Sequence, residues 1–357
     1  MQHLSEDASV RELLAPIMRY ADLHEGVTEV VVNRPGQVYI EHGAEWTAHD
    51  APELTVQKLN SLVTSIGSYT NQVVTAKNPL LSADLPGGER MQIAIMPVVA
   101  RGTMSLTIRI PAATVRPLEQ YEADGVFKNY RWSKTPRFES GRTDLGANDE
   151  LLCKSLESRD LRTFFENAAK FKKTIAFVGD TGSGKTSLMK ALCLKIPLDE
   201  RLVTIEDVRE LFLPHDNKVH LLYSKGGQGT AKITPADLIA VCMRMNPSRV
   251  LLAELRGGEA YDMLKLLTTG HRGSITSFHA DSCALAFERF VFMCKEHPDA
   301  QVYTAADLKR LFSLTFDVIA HIEVVDIFDD SGAPIRRERR ITEVYFDPVA
   351  KAKVSFE

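Results

Sequence analysis

Apolar positions along the chain follow two different periods, and they divide it into three stretches. Residues 9–23 carry apolar side chains at helical spacing and predict an amphipathic helix. The segment VTEVVVNRPGQVYIEHGAEW predicts two strands joined by a turn at Arg34-Pro35-Gly36. A helix is expected over roughly 55–76. The segment GERMQIAIMPVVARGTMSLTIRIP then alternates and turns like a second strand pair, with Gly102 in the connection. Together these predict a compact N-terminal α+β domain over residues 1–111. From 112 to 150 the pattern weakens. Pro117, Pro136, Gly141 and Gly146 punctuate a polar segment, WSKTPRFESGRTDLGAND, and the expectation is a long linker with a short helix near 118–124. Residues 151–357 predict a second domain, opened by a helix near 150–169. Apolar strand segments TIAFV, RLVTIED, KVHLLY and RVLLAEL alternate there with helical stretches, which predicts a largely parallel sheet covered by helices. Thr234-Pro235-Ala236-Asp237 and Thr304-Ala305-Ala306-Asp307 each place Thr at a helix N-cap with an acid three residues on. Asp329-Asp330-Ser331-Gly332 predicts a hairpin tip.

The junction of strand and helix at TIAFVGDTGSGKTSLMKAL carries the first chemical signal. Gly179, Asp180, Thr181, Gly182, Ser183, Gly184, Lys185 and Thr186 fit the phosphate-loop spacing G-x-x-x-x-G-K-[ST]. A phosphate chain needs many donors close together. Glycines let the backbone curl so that its N–H groups point inward, and the helix beginning near Lys185 adds its positive end. Lys185 reaches the β- and γ-phosphates of such a nucleotide, and the Thr186 hydroxyl can ligate Mg²⁺. Ser187 follows in the same turn. The expected ligands are ATP and Mg²⁺.

Hydrolysis also needs carboxylates at the ends of neighbouring strands to organise the metal and position water. LVTIEDVRE places Glu206 and Asp207 just past an apolar strand, with Glu210 a few residues on. RVLLAELRGGEAYD places Glu254 at the end of VLLA. Both Glu206 and Glu254 are candidates for Mg²⁺, directly or through water, and for positioning the attacking water. TTGHRGSITSFHADS adds His271 and His279. A histidine there can sense a γ-phosphate by hydrogen bonding, whereas the spacing supplies no third ligand for a transition metal.

Composition narrows the class without deciding it. The 357 residues suffice for two domains, and 44% hydrophobic with 25% charged residues is ordinary for a globular chain. The net charge of −4 argues against a strongly basic nucleic-acid binder, and no sequence-specific nucleic-acid binding is expected. Five cysteines at scattered spacings, none in C-x-x-C, support neither a zinc ribbon nor a disulfide framework and predict free buried thiols. No apolar run approaches 18 residues and the N-terminus lacks a signal pattern. The expected location is cytoplasmic.

Four ordered motifs, Gly179–Thr186, TIEDVRE, RVLLAELRGGEAYD and TTGHRGSITSFHA, resemble the Walker A, Asp box, Walker B and His box of the secretion (traffic) NTPases. The specific resemblance is to the hexameric ATPase of type IV secretion and conjugation systems. VTEVVVNRPGQVYIE and LPGGERMQIAIMP resemble that family's first domain. The resemblance implies an α/β fold, with a RecA-like P-loop motor domain and a smaller N-terminal domain, ATP bound between the two. It implies a homo-hexameric ring, peripheral to the inner membrane through the membrane components of a type IV secretion machine. Residue by residue, Lys185 and Thr186 take the Walker A roles, Glu206 the Asp-box acid, Glu254 the Walker B acid and His279 the His-box histidine. Arg101 and Arg109 match first-domain arginines expected to approach the phosphates, a task that suits an always-charged guanidinium. Arg272 stands where the family often has proline.

The expected function is Mg²⁺-dependent ATP hydrolysis by a ring motor that powers substrate transfer or pilus building in type IV secretion. Competing readings are a type II secretion or pilus motor, a DNA-translocating P-loop motor, and an inactive scaffold. The complete set Lys185, Thr186, Glu206 and Glu254 argues against the scaffold.

Overall fold

The computed structural model describes residues 3–24, 26–42, 45–110, 115–136, 138–141, 145–223, 233–328 and 334–354. They form two compact units. The first comprises Met1–Thr114, Asp207–Glu210 and Ser224–Ile233; the second comprises Val115–Glu206, Leu211–Tyr223 and Thr234–Glu357.

The first unit begins with α1 (His3–Met18), followed by β1 (Val27–Arg34), β2 (Gly36–His42) and β3 (Glu45–Ala51), then α2 (Val56–Tyr69), β4 (Leu80–Asp84), β5 (Arg90–Ala94) and β6 (Ser105–Arg109). Among the described residues the six strands make an antiparallel sheet in the order β3-β2-β1-β6-β5-β4. Alternation explains it: Val30, Val32, Val38, Ile40, Ile93, Leu106 and Ile108 are buried, as are Val10, Leu14 and Ile17 of α1 and Leu59, Leu62 and Ile66 of α2. The two expected strand pairs are present. Strands β3 and β4 are additions at the sheet's two edges, and the second helix stops at Tyr69 rather than near 76.

The second unit contains α3 (Leu118–Ala123), β7 (Arg131–Ser133), α4 (Phe138–Gly141), α5 (Ala147–Glu157), α6 (Leu161–Lys170), β8 (Ile175–Val178), α7 (Lys185–Cys193), β9 (Leu202–Glu206), β10 (Lys218–Leu222), α8 (Pro235–Met245), β11 (Arg249–Leu252), α9 (Glu259–Thr268), β12 (Ile275–Phe278), α10 (Cys283–Lys295), α11 (Ala305–Thr315), β13 (Val318–Phe328), β14 (Pro334–Phe346) and α12 (Pro348–Val354). Among the described residues the sheet order is β10-β9-β11-β12-β8-β13-β14-β7. The strands from β10 to β13 pair in parallel, and β14 returns antiparallel to β13. Strands β8, β9, β11 and β12 are buried at every position, as a parallel sheet covered on both faces requires. Along β8, Ile175 and Phe177 enter one core layer and Ala176 and Val178 the other. Both expected capping boxes form, at Thr234 with Asp237 and at Thr304 with Asp307. The expected turn at 329–332 lies outside the described residues.

The expected linker at 112–150 differs from what the structure places there. Leu118, Tyr121, Val126, Phe127, Tyr130 and Phe138 are buried in the same core layer as Phe164, Phe165 and Phe177. Their anchors are wide apart and set in polar sequence, so no period is visible, yet Tyr130 donates to the Leu156 carbonyl and Trp132 to the Phe346 carbonyl, both at 2.9 Å. Strand β7 also extends the sheet beside β14. The described residues from Val115 onward are therefore part of the second unit. All five cysteines are buried thiols in no disulfide, and burial pushes Cys193 and Cys294 up to about 12 and Cys242 to about 11.

Phe138 tests the reassigned segment. Its ring meets Trp132 edge-on at 5.1 Å. Phe138→Ala in a Trp46→Phe background, followed by Trp132 fluorescence in urea, is expected to cost about 3–5 kcal/mol. A linker residue would cost within about 0.5 kcal/mol.

Candidate nucleotide site

The phosphate loop leaves the carboxyl end of β8, which lies between β12 and β13. Gly179 has φ +148°, and a Cβ there would lie 2.0 Å from the Ile322 carbonyl oxygen. Only glycine lets the backbone pass so close to β13. The loop ends at Gly184, φ +99°, which caps α7 without any side-chain hydrogen bond. The first N–H groups of α7 are thus left to an anion.

Lys185 is buried against the loop. Its ammonium donates to the Gly179 carbonyl at 2.9 Å and to the Asp180 carbonyl at 2.7 Å. Burial lowers its pKa, while the negative charges of Glu254 and Asp180 pull it back up. Thr186 is half-buried; Ser187, Asp180 and Thr181 are exposed. The Ser183 hydroxyl is buried without a hydrogen-bond partner. An inward-curled glycine loop, an uncapped helix start, a buried lysine and an unsatisfied hydroxyl together fit a phosphate chain.

The two candidate glutamates have different surroundings. Glu206, the last residue of β9, is fully buried. Its Oε2 accepts from the Thr204 hydroxyl at 2.8 Å and its Oε1 from the Leu211 N–H at 2.8 Å. His220 Nδ1 lies 3.5 Å from Oε2. Glu254 follows β11 and is partly exposed. Its Oε1 is 3.2 Å from His279 Nε2 and its Oε2 accepts from Arg256 Nη2 at 2.6 Å. The pairing has a simple origin: β11 and β12 are parallel neighbours, and Glu254 and His279 each sit just beyond a strand end. Ser277 fixes that corner, its hydroxyl donating to the Ala253 carbonyl at 2.7 Å and its carbonyl accepting from Leu255 N–H at 2.8 Å.

Thus Lys185, Glu254 and His279 come together at the carboxyl ends of the strands. His271 precedes β12, at the opposite end, and its Nδ1 is 3.3 Å from the Leu266 carbonyl. Arg101 and Arg109 belong to the first unit. Arg101 is an exposed turn residue; Arg109 ends β6 opposite Glu29, whose carboxyl pKa is raised by burial and by Glu41 and lowered by Arg109. Asp207 and Glu210 also group with the first unit, where Arg90 reaches Glu210 at 2.7 Å and Asp207 at 3.4 Å. Sequence reasoning missed Arg256 and His220, the partners of the two glutamates. The i, i+2 spacing of Glu254 and Arg256 was the available signal for one; nothing local announces the other. It also missed Arg339 of β14, whose Nε donates to the Gly182 carbonyl at 3.3 Å.

A parallel sheet with a phosphate loop at its carboxyl edge and an acid on a neighbouring strand end defines a RecA-like P-loop ATPase. Residues 147–316 match the family model described as type II/IV secretion system protein. The chain is 42% identical over 353 residues to the type IV secretion system protein VirB11 of Brucella suis, covering 98% of this chain and 93% of that protein. It is 38% identical over 327 residues to the type IV secretion system protein PtlH of Bordetella pertussis, covering 87% and 92%. The solved VirB11 ATPase of the Brucella suis type IV secretion system, in complex with sulphate, aligns over 99% of both chains with TM-score 0.54 and 40% identity. The pilus retraction motor PilT with bound ADP shares the fold, with TM-score 0.58 over 96% of this chain and 87% of that one at 15% identity. The chain belongs to the VirB11 family of type IV secretion ATPases.

The two loop glycines provide a test. Gly179→Ala is expected to abolish ATP hydrolysis, because its Cβ collides with the β13 backbone. Gly182→Ala has open space around its Cβ and loses only the left-handed preference at φ +76°, about 1–2 kcal/mol. Steady-state ATPase assays with thermal melts as folding control would rank the two; equal defects would contradict the contact with Ile322.

Proposed function

We propose that this ATPase binds ATP with Mg²⁺ in the 179–186 loop and couples its hydrolysis to substrate transfer or pilus building in a type IV secretion machine. The carrying observation is the convergence of Lys185, Glu254 and His279 beside the glycine loop. Thr186 and Glu254 supply hard oxygen donors suited to Mg²⁺. Among the described residues no cluster of three or more His, Cys, Asp or Glu is spaced to hold a metal, so phosphate oxygens and water would complete the shell. When bound, Mg²⁺ neutralises phosphate charge and orients the chain of phosphates.

Glu254 is the better of the two carboxylates for positioning water. It is partly exposed, close enough to Lys185 to influence its charge, and held by His279 and Arg256. Both oxygens of Glu206 are already taken by Thr204 and by the backbone at Leu211, so its role is to fix the end of β9 and the turn that follows. His279, bonded to Glu254, would report the state of the γ-phosphate through that contact. Arg101 and Arg109 of the first unit are proposed as phosphate contacts, within a subunit or across a ring of six. The same reading has the ring work at the cytoplasmic face of the inner membrane, held by membrane partners. Among the described residues no helix is long and apolar enough to cross a membrane.

Glu254→Gln should retain nucleotide binding and lose turnover by about 10²–10⁴-fold, the usual range for a positioned proton acceptor. Glu206→Gln should lower the melting temperature as its main effect. The reverse pattern in ATPase assays and melts would exchange the two roles. Lys185→Gln should abolish turnover, and electron microscopy with ATP should show six-membered rings.

A further inference from the structure

We propose that Arg339, in the C-terminal hairpin, is a positioning residue for nucleotide binding, clamping the Gly182–Ser183 peptide of the phosphate loop. The inference rests on phosphates seating in that loop. Arg339 lies in β14, opposite Val324 of β13. Its neighbours Arg337 and Arg340 are engaged by Asp326 and Glu338. Arg339 instead extends over the loop. Its Nε donates to the Gly182 carbonyl at 3.3 Å, and its Cδ lies 3.0 Å from where a Cβ on Gly184 would sit. Both contacts fall within the described residues of the second unit.

The Gly182–Ser183 peptide needs such a tether. Nothing lies within 4 Å of a Cβ built on Gly182, so that side of the residue is unpacked, and the Ser183 N–H is held only by a long bond to the Asp180 carbonyl at 3.3 Å. A glycine without neighbours rotates its peptide plane at little cost. In a trans peptide the carbonyl and the following N–H point to opposite sides. With its carbonyl drawn outward to Arg339, this peptide turns the Ser183 N–H inward. There it meets the Asp180 carbonyl at 3.3 Å, the acceptor that the Lys185 ammonium also takes at 2.7 Å. The inward N–H is one of the donors a phosphate would use. If the peptide flipped, the cradle would present a carbonyl oxygen to an anion. Arg339 therefore acts on affinity through the loop, with no contact to the reacting atoms required. It lies beyond residues 147–316, the part of the chain that the secretion-family model matches.

The test uses the full chain with Arg339→Ala and Arg339→Lys, titrated with ADP and with a non-hydrolysable ATP analogue, alongside steady-state kinetics and nucleotide-free melts. Arg339→Ala is expected to weaken both nucleotides equally, about five- to tenfold, the loss of one partly exposed charge-assisted hydrogen bond. KM should rise while kcat stays within about twofold. Lysine can also donate to the Gly182 carbonyl, so Arg339→Lys should restore affinity to within about twofold. The melting temperature should not move, because the side chain is exposed. Unchanged affinity in Arg339→Ala, a loss confined to the ATP analogue, or no rescue by lysine would each overturn the clamp. Lys185→Ala separates this failure from a wider one. If it abolishes binding while Arg339→Ala does not, only the clamp is wrong; if it leaves binding intact, the loop is not the nucleotide site.

Discussion

The close approach of Gly179 to the Ile322 carbonyl constrains everything around the phosphate loop. Strand β8 has a parallel neighbour on each side and an apolar layer on each face, so its end cannot drift. Beyond Val178 the chain must turn away immediately, because β13 continues alongside. The β13–β14 register shifts between His321 and Ile322, next to the Ile322 carbonyl that faces Gly179. A loop that starts from a fixed point and ends in a fixed helix has few conformations left. That restriction fixes where the loop begins and where it enters α7, so the N–H groups at its two ends are positioned before any ligand arrives.

Glu206 and Glu254 show how little an apolar-strand-then-acid pattern says about chemistry. Glu206 ends one buried strand and Glu254 follows another, and the strands β9 and β11 are neighbours in register. Their environments nevertheless differ in kind. Glu206 is enclosed and accepts donors from its own strand and from the turn after it. Glu254 is near enough to Lys185 for its charge to raise the lysine's pKa, and it lies 3.2 Å from His279. A carboxylate whose oxygens already accept from a buried hydroxyl and a backbone N–H is poorly suited to hold water. One whose two oxygens meet side chains, His279 on one and Arg256 on the other, can reorient between them.

The legible parts of the sequence were those where one local rule suffices. The phosphate loop, the buried strands and both threonine caps follow from spacing alone, and the structure has them at Gly179–Lys185, β8 and Thr234 and Thr304. Strand β3 was missed because it is an edge strand, exposed at most positions, with no apolar alternation to read. The linker was misread for a related reason. Tyr121, Tyr130 and Phe138 are single anchors dropped into polar sequence, and only the layer they fill in the second unit explains their spacing. Within the site, Lys185 stands out by its motif and Arg256 by its spacing from Glu254, whereas His220 required knowing that β9 and β10 are neighbours.

Arg339 is the extreme case of that limit. It is 157 residues from Gly182 in sequence and exposed, in a run of arginines that reads as a solvated face. The contact exists because β13 pairs with β8 and β14 returns over the loop. Topology therefore gives one hairpin two grips on one loop: the Ile322 carbonyl beneath Gly179 and the Arg339 guanidinium above Gly182. The first grip is steric and tolerates only glycine. The second is a single hydrogen bond at a position with open space, and so can be made or broken at modest energy. A loop held rigidly at its start and loosely at its middle keeps its entry point while its donors turn. The same hairpin carries β7 at the edge of the sheet, so a displacement of β14 would reach the Gly182–Ser183 peptide through Arg339.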